Sequence, residues 1–212
     1  MASAPPLTEG PLWAQKDRPV ARALFKFRSF TAIPWALAAV AFARPLGPRS
    51  WLGLGAVVAG EALRLWALGY IGPESRVTRE GPGASRLVTF GPYGWVRNPL
   101  YIGNVAIIVG LALWTGALWP WLPLAALAYF LWQYALITRL EGEELERKYG
   151  WDYRAYRGVV PAWLPRFAPH PMRLGGRWRL APAVKGELRS LNTVLLILAL
   201  SRLVAWWRFR GW

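Results

Sequence analysis

Cysteine is missing from all 212 residues, and histidine occurs once. Without cysteine there is no disulfide, no thiolate nucleophile and no Cys-ligated zinc. With one histidine there is no His-rich metal site and no His-centred triad. That residue, His170, stands between Pro169 and Pro171 and reads as a loop surface position. No metal is expected. H-E-x-x-H and G-x-x-x-x-G-K-[ST] are also missing, and no G-x-G-x-x-G follows a strand, so a Rossmann cofactor fold is not supported. The N-terminus lacks a signal-peptide pattern, because the first basic residue, Lys16, follows a polar lead containing Pro and Gly. Charge is sparse: 17% of residues are Asp, Glu, Lys or Arg, against about 25% in soluble domains.

Apolar side chains take the place of charge. Hydrophobic residues make up 55% of the chain, and there are 15 tryptophans, a residue that gathers at membrane–water interfaces. The formal net charge is +15. Its basic residues flank apolar segments, and no zinc-finger, RNA-recognition or basic-zipper pattern accompanies them. Anionic lipid headgroups, not nucleic acid, are the expected partner of that charge.

The hydropathy pattern predicts an all-α integral membrane bundle of about five transmembrane helices, with cytosolic loops and short interfacial helices. The expected spans are Ser29–Ala43, Trp51–Ile71, Leu100–Leu118, Trp121–Thr138 and Leu191–Trp207. The third and fourth come from the 41 uncharged residues Asn98–Thr138, divided by the Gly/Pro/Trp break Trp114–Pro123. Residues 1–28 read as a tail and interfacial segment, 29–207 as a single membrane domain, and 208–212 as a C-terminal tail. Arg28 and Arg44 bracket the short first span and can snorkel. With this topology, twenty basic residues fall on one side and Arg44, Arg49, Arg208 and Arg210 on the other. The excess marks the side holding the N-terminus and the loops 72–98 and 139–189 as cytosolic, in a prokaryotic cytoplasmic membrane.

Three constellations carry candidate chemistry. Arg97-Asn98-Pro99 opens the longest apolar run. Asn is a good N-cap and Pro is favoured at the first helical position. A helix N-terminus also receives anions, and Arg97 beside it suits a carboxylate. Gly91-Pro92-Tyr93 forms a turn just ahead, with Tyr93 and Trp95 as aromatic walls. Glu141, Glu143 and Glu144 follow the fourth span, with Glu141 and Glu144 on one helical face. Glu61 and Arg64, at i and i+3 inside the second span, are expected to pair and to line a site, with Trp66 one helical face away and Asn104 on the same substrate side. Tyr149, Tyr153 and Tyr156 recur on one face of the charged segment Glu141–Arg157. Val159–Pro171 has four prolines and is expected to be extended.

"GPYGWVRNPLYIGN", followed some forty residues later by "EGEELERKYGWDYRAYRGVVPAWLP", resembles the isoprenylcysteine carboxyl methyltransferase family and the related phospholipid N-methyltransferases. "LRLWALGYIG" ahead of them is also similar. The resemblance implies a multi-span membrane enzyme that transfers a methyl group from S-adenosylmethionine to a lipophilic acceptor, an isoprenylcysteine-type carboxylate or a phospholipid amine. It implies a cytosol-facing cofactor site within about residues 91–165. Tyr93, Arg97, Asn98, Pro99, Tyr101 and Gly103 are implicated from the first motif. Glu141, Leu145, Tyr149, Gly150, Tyr153 and Tyr156 are implicated from the second, with Glu144 beside them. Arg97 and Glu141 are the expected catalytic pair, holding opposite charges of one zwitterionic ligand. Asn98 stands where the family usually has His, and Gly142 where it has a second Glu. An NADPH-dependent membrane reductase with a similar helical core, and a non-enzymatic transport or scaffold protein, remain the other readings.

Overall fold

The computed structural model describes residues 18–71, 77–78, 81–82, 87–168 and 176–210. The expectations for the tail before Arg18, for Arg76, Arg79 and Arg86, and for His170 fall outside those residues. Seven helices follow one another: α1 Arg18–Phe27, α2 Ile33–Ala41, α3 Pro48–Ile71, α4 Pro99–Thr115, α5 Trp121–Tyr149, α6 Trp151–Val159 and α7 Leu180–Phe209. Apart from them there is a two-residue antiparallel pairing, Val77–Thr78 with Gly81–Pro82, and a 3₁₀ turn at Gly91–Gly94. The chain is all-helical, as the hydropathy pattern predicts.

Among the described residues, three helices are long and apolar enough to cross a membrane: α3, α5 and α7. At 24, 29 and 30 residues they reach about 36, 43 and 45 Å. Helix α4 is apolar but has 17 residues, about 25 Å. The expected first span is different in kind. Residues 28–32 form turns, and only Ile33–Ala41 is helical, about 13 Å. Regular helix therefore does not carry that segment across. It still runs along the bundle. Arg28 acts electrostatically on Glu141, and the Arg44 N–H donates to the Thr115 carbonyl at the other end (2.8 Å). The last expected span also widens, from Leu191–Trp207 to all of α7.

Two ends result. The loop end holds Ile71, Pro99, Tyr149 and Leu180; the hairpin end holds Pro48, Thr115, Trp121 and Phe209. Helices α3 and α4 are antiparallel and meet backbone to backbone. A Cβ on Gly60 would stand 2.7 Å from the Gly103 carbonyl oxygen, and one on Gly110 would stand 2.7 Å from that of Gly53. No side chain fits at such a distance, so small residues alone permit this approach. Helix α7 lies across the pair, with Val194, Ile197 and Leu198 against Val57, Ile107 and Leu111. On the opposite flank α5 packs Ala126, Phe130, Tyr134 and Ile137 against Tyr101, Val105 and Ile108 of α4 and Leu24 and Phe25 of α1. Helix α2 closes the hairpin end, where Ala39 meets Ala112, Ala117 and Leu122.

Candidate functional site

The first motif folds as a turn that aims its side chains at the loop end. Gly91 has φ 62°, and a side chain there would strike the Tyr70 ring. Glycine satisfies both conditions. The 3₁₀ turn that follows buries Pro92, Tyr93 and Gly94. Pro99 then opens α4, where its missing N–H is no loss. Asn98 is not the side-chain cap that its position predicts. Its side chain makes no capping bond, and Nδ2 donates to the Ala162 carbonyl instead (3.0 Å). The neighbouring bonds explain why. Arg97 N–H donates to Pro161 O (2.9 Å), Arg166 N–H to Trp95 O (3.0 Å), and the Tyr156 hydroxyl to Tyr93 O (2.8 Å). Four bonds thus strap residues 156–166 across the start of α4, and the two sequence motifs become one unit.

Arg97 and Glu141 approach this unit from opposite sides. Arg97 Nη1 is 3.4 Å from the Tyr153 hydroxyl, while its Nε is buried without an acceptor. The same Tyr153 oxygen lies 3.1 Å from where a Cβ on Gly142 would stand. The glycine in place of a second Glu therefore makes room for Tyr153. Glu141 accepts a hydrogen bond from the Tyr101 hydroxyl (2.8 Å), and Tyr101 lies against Tyr134 with ring centroids 4.6 Å apart. Arg28, just beyond α1, is close enough to act on the Glu141 charge, and is held by a 2.9 Å bond to the Phe25 carbonyl. Sequence reasoning used Arg28 only as a flank of a span; its place near Glu141 depends on how α1 folds back.

Two further tyrosines complete the wall. Burial pushes the Tyr93 phenol well above its usual range, with Tyr156 and Glu141 adding to the effect. Its hydroxyl has no partner among the described residues. Burial also raises Tyr156, against the opposing influence of Arg97. Both phenols stay neutral at physiological pH and serve as donors and aromatic faces. Tyr153, Tyr156 and Val160 form a small core with Leu87, Leu145 and Tyr149. Tyr149 belongs to that packing across the break at Gly150, whose φ is 53°. Glu144 does not join the site: it pairs with Arg147 on the outer surface.

A second polar group lies deeper, between α3, α4 and α7, and it corrects the expected Glu61–Arg64 pair. Arg64 gives its hydrogen bonds to other partners than Glu61, though its charge still acts on that carboxyl. Its Nε and Nη2 both donate to Glu187 Oε1 of α7 (2.9 and 2.6 Å), and its Nη1 to Asn104 Oδ1. Glu187 is fully buried. Asn104 Nδ2 in turn donates to the Tyr134 hydroxyl (3.3 Å). The polar contacts therefore run from Glu187 through Arg64, Asn104 and Tyr134 to the Tyr101 ring and Glu141. Glu61 has its carboxyl group buried beside Glu187 and Ser190, within reach of the Arg64 charge. Gln133, fully buried with its amide atoms unpartnered, was not anticipated either. Trp66 is 41% exposed, and no contact with this group is seen among the described residues. Gly103 serves packing: the Arg64 side chain and the Gly60 carbonyl lie against it.

The loop end thus brings together a carboxylate, two guanidinium groups and four tyrosines. Arg97 Nε and the Tyr93 hydroxyl are buried donors without an acceptor. That donor set suits a ligand carrying both an ammonium and a carboxylate, with aromatic faces for a further cation. Among the described residues, no group of three His, Cys, Asp or Glu side chains is placed to hold a metal ion.

Residues 48–152 match the family model for phospholipid methyltransferase. The nickel-cobalt-cadmium resistance protein NccN of Alcaligenes xylosoxydans xylosoxydans is 32% identical over 117 residues, 55% of this chain and 50% of the relative. The cobalt-zinc-cadmium resistance protein CzcN of Cupriavidus metallidurans is also 32% identical over 117 residues, 49% of its length. The chain thus spans about half the length of the curated relatives it matches. No solved structure matches.

Proposed function

We propose that this chain, which belongs through residues 48–152 to the phospholipid methyltransferase family, is an integral membrane enzyme that transfers a methyl group from S-adenosylmethionine to a lipophilic acceptor. The observation that carries the reading is the placing of Glu141 and Arg97 at one end of the bundle, with Tyr101 on the first and Tyr153 on the second. S-adenosylmethionine supplies an electrophilic methyl group on a sulfonium. Glu141 would hold the ammonium of its amino-acid end, Arg97 with Arg28 the carboxylate, and Tyr93 the remaining polar contact. The neutral tyrosine faces would stabilise positive charge without competing for protons. Methyl transfer needs orientation and a water-poor setting more than acid–base machinery, which fits a chain with one histidine and no cysteine.

The acceptor would come from the bilayer side, past Asn104 and the Glu61–Arg64–Glu187 group. A carboxylate acceptor needs no base; a phospholipid amine must first lose a proton, a task that would fall to a buried carboxyl such as Glu61. The loop end would face the cytosol, because it carries the large excess of basic residues.

Titration calorimetry on the detergent-purified chain tests this, with S-adenosylmethionine and NADPH as parallel ligands. S-adenosylmethionine should bind and NADPH should not. Each charge-assisted contact contributes roughly 1.5–3 kcal/mol, so Glu141→Gln and Arg97→Lys should each weaken binding about ten- to a hundredfold. Unchanged affinity in both folded variants would reduce the motif to a helix start. Tight NADPH binding would favour the reductase reading.

A further inference from the structure

We propose that the hairpin end binds the phosphate of an anionic phospholipid through Arg44, Arg49 and Arg202. The three residues come from separate parts of the chain and lie together at the α4–α5 turn. Arg44 is held there by its N–H bond to the Thr115 carbonyl (2.8 Å), and its own carbonyl accepts from Arg202 Nη1 (3.1 Å). Gly116 in the turn has φ 60°. From the point where its Cβ would stand, Arg49 Nε is 3.5 Å away and both Arg49 Nη2 and Arg44 Cβ are 3.7 Å away. The arginines therefore surround one turn.

Among the described residues, no carboxylate at this end balances their charge. No Asp or Glu lies between Asp17 and Glu61, between Glu80 and Glu141, or after Glu187, and those intervals supply the described hairpin end. The ion pairs of the described residues all lie elsewhere, on Arg64, Arg147 and Arg157. Aromatic rings take their place: Arg202 lies 5.0 Å from the Trp114 ring centroid and Arg49 5.4 Å from that of Trp119. A ring face attracts a guanidinium but leaves its N–H groups unmet. Arg202 shows this most clearly. It lies within an apolar helix, and its Nε and Nη2 are buried without an acceptor. A guanidinium there calls for an anion, and the planar fork matches phosphate oxygens.

The surroundings select a lipid over a free ion. Trp51, Trp119, Trp121, Trp206 and Trp207 are all exposed around the same end. Tryptophans in that pattern sit at headgroup depth, where a phospholipid phosphate lies. The site is at the opposite end from Glu141 and does not depend on the methyltransferase reading.

The test uses the full chain in neutral detergent, with unfolding followed by tryptophan fluorescence. Short-chain phosphatidylglycerol, phosphatidylcholine and inorganic phosphate are titrated separately. Phosphatidylglycerol should raise the midpoint; phosphatidylcholine should do so much less, and inorganic phosphate not at all. In Arg49→Gln/Arg202→Gln, half-saturation should need at least about tenfold more phosphatidylglycerol, the loss of one or more charge-assisted contacts. Arg22→Gln/Lys26→Gln, at the basic loop end, should leave it within about twofold. If the double variant does not fold, Arg49→Gln alone should still shift half-saturation by about threefold or more. Unchanged half-saturation in the Arg49 variants overturns the site. Equal effects of phosphatidylcholine overturn the recognition of charge, and equal effects of inorganic phosphate overturn the lipid as its source.

Discussion

Replacing Glu187 with Gln should destabilise the protein far more than the same change at Glu61, although the sequence places Glu61 next to Arg64. Glu187 Oε1 accepts two bonds from the Arg64 guanidinium, and its side chain has no solvent exposure. Arg64 is 15% exposed, so water offers little compensation. Breaking a buried pair by removing one partner costs about 3–5 kcal/mol, because the survivor is left unpaired. For a chain of this size that corresponds to a melting temperature lower by about 6–20 °C. Glu61 holds none of the bonds that fasten the Arg64 guanidinium. Glu61→Gln also removes a like charge beside Glu187, so it should change stability by less than about 1 kcal/mol, in either direction. The double variant Arg64→Leu/Glu187→Leu removes the pair together and should melt above either single variant. Fluorescence-detected melts of the purified variants in one detergent, with helicity checked by circular dichroism, give the ranking. A Glu61→Gln loss equal to or larger than that of Glu187→Gln would refute the pairing described here and restore the intrahelical pair.

Gly60→Val should abolish the contact of α3 with α4, since even a Cβ would stand 2.7 Å from the Gly103 carbonyl; expression of folded protein should fall, whereas Gly55→Ala, in open space, should be tolerated. Asn98→Ala should free the Ala162 carbonyl at a cost of about 1–2 kcal/mol, seen as faster hydrogen exchange in 160–166 with α4 still protected. The raised Tyr93 and Tyr156 groups imply a signed pH dependence. The folded form favours the neutral phenol, so the stabilisation is fully present below the unfolded tyrosine value of about 10 and is lost as pH rises through the higher folded values. Melting temperature should therefore fall at alkaline pH, less steeply in Tyr156→Phe, and phenolate absorbance should show two tyrosines resisting ionisation until the fold is lost. An excess of metal chelator should leave S-adenosylmethionine affinity unchanged within about twofold, as calorimetry would read.

The long apolar helices were legible because a bilayer demands a minimum apolar length, which Asn98–Thr138 displays without a charge and α7 displays with Arg202 inside it. The first motif and Glu141 were legible as a pair because a hairpin returns its far end to the starting side. What escaped depended on distant partners. Arg64 has a carboxylate three residues away and another 123 residues away, and the bundle selects the second. Asn98 has the ideal identity for a cap, yet the strap offers it a carbonyl. Trp66 and Glu144 satisfied helical spacing, but Trp66 is exposed and Glu144 pairs with Arg147. Ser29–Ala43 was apolar enough for a span, but its turns at 28–32 depend on packing against α5. One signal was available and unused: Gly53 and Gly60, like Gly103 and Gly110, are seven residues apart, two helical turns, which marks a face built for close approach.

That glycine face also determines which parts of the molecule are free to move. Two backbones in direct contact cannot slide past each other by small amounts; every intermediate register would drive a side chain into a carbonyl. Helices α3 and α4 therefore act as a fixed spine. Any opening of the bundle has to come from elements seated on ordinary side-chain contacts, namely α7 and the strap over α4. The Arg64–Glu187 pair then takes on a latch-like character: it is the polar fastening between that spine and α7.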